Sequence, residues 1–233
     1  IEMEDIEKAA YERVVSSFKA GLIQKIKQHN AENKNMEILE AILRLRQLAC
    51  HPALVPQLFP EGQIACSSKF NQVLEDLETL FQEKKKVVLF SQFTSLLELF
   101  KKEALTRGWN FSSLDGSTKN RQEVVDRFQQ DEENWLLLLS LKAGGVGLNL
   151  TRADFVLLYD PWWNEAVEKQ AIDRAHRIGR KETLFIKRYI TQGTIEENIL
   201  ELKKKKGALV DSIMEESNLA SHISIDELQQ LLS

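Results

Sequence analysis

Apolar residues recur every three or four positions through the first fifty residues, in IEKAAYERVVSSFKAGLIQKIKQ and again in MEILEAILRLRQLAC, with a polar break over 29–35 between them. That spacing predicts two helices, and Ile38, Ile42, Leu45 and Leu48 mark the face by which the second one packs. Arg44 and Arg46 read as solvated charges on it. His51-Pro52 ends the helix, since the residue before a proline is pushed out of the helical region. Residues 52–66 hold three of the four prolines with little periodicity and read as a connector.

Beyond residue 66 the pattern changes. Short apolar runs of strand length, VVLFS (87–91), FSSLD (111–115), WLLLLSL (135–141), DFVLLYD (154–160) and TLFIKRYIT (183–191), alternate with amphipathic stretches. Helices are predicted from Ser67 or Ser68 to about Glu83, from about Phe93 to Arg107, from about Lys119 to Gln130, and from Asn164 to Gly179. Strands alternating with helices argue for a parallel sheet covered on both faces. Thr194, with Glu197 three residues on as in a capping box, opens a last long helix whose apolar side is Ile195, Ile199, Leu202, Leu209 and Ile213. The segment from Asn218 is a short helix or a frayed tail. The expected organisation is α/β: an N-terminal helical appendage over 1–50, a connector over 51–66, the main domain over 67–193, and a C-terminal helical brace and tail over 194–233.

Composition narrows the chemistry. The chain has 233 residues, 31 basic and 35 acidic, for a formal charge of −4, so any contact with nucleic acid must be local. Two cysteines and four scattered histidines give no zinc-ligand spacing. No apolar run reaches membrane length, and the start is acidic and helical where a signal peptide would be basic and apolar. An intracellular protein without a membrane partner is expected. The missing initiator Met suggests a fragment or excised domain.

The densest candidate chemistry is QAIDRAHRIGR at 170–180. On a helix, Gln170, Arg174 and Arg177 stand at i, i+4 and i+7 and share one face suited to an anion. Asn164 can cap the helix, Glu165 and Glu168 suit its positive first turn, Asp173 can pair with Arg177, and Gly179 can close it. A lone RxxR is most often a solvated face. Here, however, three strand ends carry small, hydroxyl or amide residues: Ser91-Gln92, Gly116-Ser117-Thr118 and Lys142-Ala143-Gly144-Gly145. Exposed N–H groups and short hydroxyls along one sheet edge suit phosphate oxygens, where ligands of open parallel sheets collect. The run Lys203 to Lys206 reads as a wet face or as a phosphate-binding patch. There is no GxxxxGK[ST], no GxGxxG and no acidic pair after a strand, so the chain does not by itself hold a nucleoside triphosphate and its metal in the usual way.

Several motifs carry a family resemblance. SQF at 91–93, LDGST at 114–118, LSLKAGGVGLNLTRAD at 139–154, DPWWN at 160–164 and QAIDRAHRIGR resemble, in order, the later helicase motifs of the Swi/Snf family of superfamily-two ATPases. LRQLACHP at 45–52 resembles that family's signature ahead of the second lobe, and TIEENIL with the following lysines its C-terminal brace. The match runs from about 45 to 213.

The resemblance implies a RecA-like second lobe of a DNA-stimulated ATPase that translocates along double-stranded DNA without separating its strands. It places Gly145, Gly147 and Gln170 near the nucleotide, and Arg174 and Arg177 as arginine fingers reaching ATP held by the first lobe. Ser91, Gln92, Gly116, Ser117, Thr118, Lys142, Ala143 and Gly144 fall where the family faces the DNA backbone, and Trp163 near the tracking strand. ATP and Mg2+ are the implied cofactors, held mainly by the first lobe, whose phosphate loop and DEAH-like box this chain lacks; the isolated chain is therefore expected to be inactive. The implied partners are double-stranded DNA, the N-terminal RecA-like lobe of the same polypeptide and a DNA-bound protein complex. The compartment would be cytoplasmic in a bacterium or archaeon and nuclear in a eukaryote.

Arg180 departs from the family, which commonly has Gln there, and Trp162-Trp163 doubles an aromatic of which one is either site or core. A competing reading is a non-catalytic nucleic-acid or protein binding module that docks through the helical appendage and the lysine run. An unrelated nucleotide-binding α/β enzyme would be expected to show a dinucleotide fingerprint or catalytic dyad, and none is seen.

Overall fold

The computed structural model describes residues 1–26, 31–59, 67–141, 143, 148–161, 168–169, 172–173, 175 and 183–206. They form two compact units, one of residues 72–189 and one of residues 1–71 with 190 onward. The fold is the expected RecA-like α/β arrangement.

The unit over 72–189 is built on a five-stranded sheet, β1 (Val87–Ser91), β2 (Phe111–Leu114), β3 (Leu136–Ser140), β4 (Phe155–Leu158) and β5 (Phe185–Arg188), in the order β2-β3-β1-β4-β5. Every pairing is parallel. β1 and β3 are buried along their whole length, as continuous apolar runs must be when helices cover both faces. One face carries Val88, Phe90, Leu137, Leu139, Val156 and Leu158, packed with Val125 and Phe128 of α5 (Arg121–Gln130). On the other, Leu96, Leu97 and Phe100 of α4 (Thr94–Thr106) are buried, and the Phe100 ring meets Tyr159 edge-on at 5.4 Å. β5 differs from its neighbours: all four of its side chains are exposed, as an edge strand permits.

The lysine that opens β1 is structural. Lys86 is buried, and its Nζ donates to the carbonyls of Phe128, Asp131 and Asn134 at 2.8, 2.6 and 2.8 Å, while its backbone N donates to Asp154. It ties the turn between α5 and β3 to the start of β1. Burial, reinforced by Arg152, pushes its pKa down.

The other unit contains α1 (Asp5–Ile26), α2 (Ala31–Cys50), two 3-10 turns at Pro52–Leu54 and Pro56–Leu58, the first residues of α3 (Ser68–Gln82), and α6 (Ile195–Lys206). Ile38, Ile42, Leu45 and Leu48 are all buried, as the periodicity predicts. Two expectations need correcting. The break predicted over 29–35 does not extend past residue 30, because α2 already begins at Ala31; Ala, Glu and Lys are good helix formers, so polarity alone does not interrupt a helix. Arg46 is buried, whereas Arg44 is the half-exposed charge, paired with Glu40 and bonded to Gln47.

A buried ion pair lies within this unit. Lys69 Nζ contacts both carboxylate oxygens of Glu196 at 2.6 Å, with the two side chains 0% and 1% exposed. Glu196 also accepts from Thr191 N at 3.0 Å and from Cys50 Sγ at 3.7 Å. Tyr11 of α1 accepts from Ile195 N, and Glu7 accepts from the N and Oγ of Ser68. The signature at 45–52, the start of α3 and the beginning of the brace are thus joined by one buried polar network.

His51 titrates within this unit. Its Nδ1 accepts from Ala53 N at 3.0 Å and its ring stands edge-on to Phe70, and burial pushes its pKa from 6.5 down to about 4. The folded state therefore binds this proton less tightly than the unfolded chain does. The stability it confers is complete above pH 6.5 and is lost as the pH falls from 6.5 toward 4. The loss reaches about 3 kcal/mol. His51→Asn keeps an acceptor for Ala53 N without titrating, and should flatten the fall of the urea midpoint across that window relative to wild type; parallel profiles for the two proteins would refute this assignment.

Candidate functional site

Because the strands are parallel, their carboxyl ends lie along one edge, and the chain leaves β1, β2, β3 and β4 there. β1 and β4 are direct neighbours, paired Phe90 to Leu158, so the residues just beyond them meet. Ser91 is fully buried and donates through Oγ to Asp160 Oδ1 at 2.5 Å; the same Oγ accepts from Phe93 N at 3.0 Å, beside the start of α4. Gln92 donates to Asp160 through its backbone N at 3.2–3.3 Å and through Nε2 to Oδ2 at 2.6 Å. Asp160 is itself 3% exposed. A buried carboxylate is tolerable when several donors surround it, and here the Ser91 hydroxyl and one N–H of the Gln92 amide serve that task.

The loop after β2 is a self-closed turn. Asp115 Oδ1 accepts from Ser117 N and Oγ at 2.8 and 2.6 Å, Asp115 N donates to Thr118 Oγ1 at 3.0 Å, and Thr118 N donates to Asp115 O. The Ser117 hydroxyl, with the Ser117 N–H, Lys101 and Thr118 adding to it, holds the Asp115 carboxyl below its usual range despite some desolvation. Gly116 and Ser117 are exposed, and a Cβ added at Gly116 would meet nothing within 4 Å, so this turn is open to a large ligand. After β3, Leu141 N donates to Ser91 O and Ala143 is buried, leaving the backbone as the only polar part of Ala143. Leu148 and Leu150 return to the core.

Of the arginine helix, Ile172 and Ala175 pack on the core and Glu168 accepts from Arg188 of β5. Glu168 thus holds the edge strand, a role beyond favouring a helix start. Lys142, Gly144, Gly145, Gly147, Trp163, Gln170, Arg174 and Arg177 lie outside the described residues, as does Arg180. Among the described residues no three His, Cys, Asp or Glu side chains converge to hold a metal ion, and no helix is long and apolar enough to cross a membrane.

The expected site residues that are described fall at this single edge. Sequence reasoning missed the two carboxylates that organise them, Asp115 and Asp160. Both were signalled: Asp followed two residues later by Ser is an Asx-turn pattern, and an Asp closing an apolar strand needs internal partners. An open cavity of about 640 Å³, walled by Phe81, Trp109 and Trp135, lies by contrast at the edge where the strands begin.

Comparison with known proteins identifies the family and the fold. Residues 68–179 match the helicase conserved C-terminal domain. An "uncharacterized ATP-dependent helicase" of Mycoplasma pneumoniae is 36% identical over 212 residues, covering 90% of this chain and 20% of that protein. The C-terminal domain of a Sulfolobus solfataricus SWI2/SNF2 ATPase superposes with a TM-score of 0.77 at 26% identity, covering 100% of this chain and 96% of the other. The core of that ATPase in complex with double-stranded DNA gives 0.79 at 26% identity, with coverage of 99% and 48%. The chain spans about a fifth of the length of the bacterial relatives it matches.

Proposed function

Because the chain belongs to the Swi/Snf family of helicases and forms its C-terminal, RecA-like lobe, we propose that it is the second motor lobe of an ATP-dependent double-stranded DNA translocase. The observation that carries this is the single sheet edge at which the chain leaves β1, β2, β3 and β4, with the turn after β2 and the Ser91–Gln92–Asp160 bonds built there. Structural likeness to an archaeal ATPase core bound to double-stranded DNA supports the nature of the polymer.

In this reading Gly116, Ser117 and Thr118, with Lys142, Ala143, Gly144 and Trp163, meet the DNA backbone. Such contacts fix register on the duplex without reading its sequence, which is what a translocase requires. Gly145, Gly147 and Gln170 approach the nucleotide from this lobe, and Arg174 and Arg177 donate to the transferring phosphoryl group across the cleft. When bound by the first lobe, ATP and Mg2+ supply the phosphoryl group and neutralise its charge; this lobe adds cationic stabilisation of the transition state and excludes water on closure. Backbone contacts made and released in step with closure then move the DNA. The experiment that tests the reading is ATP hydrolysis by this chain supplied with a separately produced first lobe, with and without double-stranded DNA.

A further inference from the structure

Three hydrogen-bond donors from the end of β1 converge on one buried carboxylate at the end of β4: Ser91 Oγ, Gln92 N and Gln92 Nε2, all on Asp160. Building on the motor reading above, we propose that Asp160 is a positioning residue, which locks the chain leaving β4 toward the arginine segment to the β1 loop, and that Ser91 and Gln92 serve this clamp, the buried Ser91 hydroxyl making no bond to a DNA phosphate.

The argument is one of placement and of donor use. Asp160 stands ten residues before Gln170, at the point where the chain leaves β4 for QAIDRAHRIGR. Its backbone is already held, since Tyr159 N donates to Phe90 O and continues the β1–β4 ladder one step past the strands. The carboxylate then fixes the neighbouring loop from the side. Ser91 passes the constraint on, because the Oγ that donates to Asp160 also accepts from Phe93 N next to α4. With Ser91 fully buried, its hydroxyl faces Asp160 and not solvent. Gln92 keeps its side-chain carbonyl and one Nε2 N–H clear of the clamp bonds, while its other Nε2 N–H and its backbone N–H are held by Asp160, so the carboxylate sets how the amide is presented. A residue that sets the start of the arginine segment should act on the rate of the chemical step, whereas a phosphate donor should act on DNA affinity.

The test uses the full-length protein and three parameters: kcat with saturating DNA, KM for ATP, and the DNA concentration giving half-maximal stimulation. Asp160→Asn replaces an acceptor with an amide whose N–H groups oppose the donors of Ser91 and Gln92. It should lower kcat at least tenfold while moving KM and the half-stimulating DNA concentration less than twofold. Gln92→Ala should show the same pattern more weakly, and added to Asp160→Asn it should cost less than a further twofold. Gln92→Ala raising the half-stimulating DNA concentration with kcat intact would overturn the proposal and make Gln92 a DNA contact. So would wild-type kcat in Asp160→Asn, or parallel changes in all three parameters, as a merely loosened lobe would give. Should Asp160→Asn not fold, the half-buried Gln92 decides by the same criteria. Wild-type protein without any DNA-stimulated hydrolysis would instead refute the motor reading itself.

Discussion

Alanine at Arg174 or at Arg177 in the full-length protein should lower DNA-stimulated ATP turnover by on the order of 10³ to 10⁵, with little change in thermal stability. The magnitude follows from what an arginine finger does: its guanidinium meets charge that develops only in the transition state, in a site that closure has emptied of water. Arg174 and Arg177 are three residues apart in sequence, and the neighbouring Ile172 and Ala175 already pack on the core, so the segment has anchors other than the arginines. Lysine should not rescue either position, because a point charge on a flexible stem does not reproduce the planar fork. Steady-state turnover at saturating DNA checks this. Wild-type turnover in both variants would remove the arginines from the mechanism.

The second large effect concerns stability. Glu196→Ala should destabilise the unit that contains α1, α2 and α6 by about 3–5 kcal/mol, because it takes the bidentate carboxylate away from the Lys69 ammonium, which is 0% exposed. It also removes the acceptor for Thr191 N and Cys50 Sγ. A fall in melting temperature on the order of 10 °C is expected. Replacing the pair together, Lys69→Met with Glu196→Leu, should recover most of the loss, since it removes both charges of the pair at once and fills the space with apolar side chains of similar volume. A double variant no more stable than Glu196→Ala alone would show that the network matters for more than its ion pair.

The fold was legible because its signals are strong and local. VVLFS coincides with β1 and LLLLS with β3, for a strand buried on both faces must be apolar throughout. The edge strand was harder to delimit: TLFIKRYIT spans nine residues, yet only Phe185–Arg188 pair with β4, since exposure at the sheet edge leaves the apolar pattern weakly specified. The loops after β1 and β2 follow the carboxyl ends of their strands as read from the sequence, but their internal chemistry was not foreseen. Ser91 and Gln92 are bonded to Asp160, 69 and 68 residues away in sequence, and only the parallel pairing of β1 with β4 makes them neighbours. Lys69 and Glu196 are still further apart in sequence. Lys86 shows the same limit from another side: in KKK it looks like its two neighbours, and only its three carbonyl partners set it apart.

The central claim is that this lobe completes a phosphoryl-transfer site whose nucleotide is held elsewhere. Steady-state ATP hydrolysis by this chain, alone and mixed with a separately purified first lobe, each with and without double-stranded DNA, tests it most directly. No turnover by the chain alone, and DNA-stimulated turnover on mixing that is lost with Arg177→Ala, is the predicted result. Robust hydrolysis by the chain alone, or a mixture in which Arg177→Ala changes nothing, would contradict it.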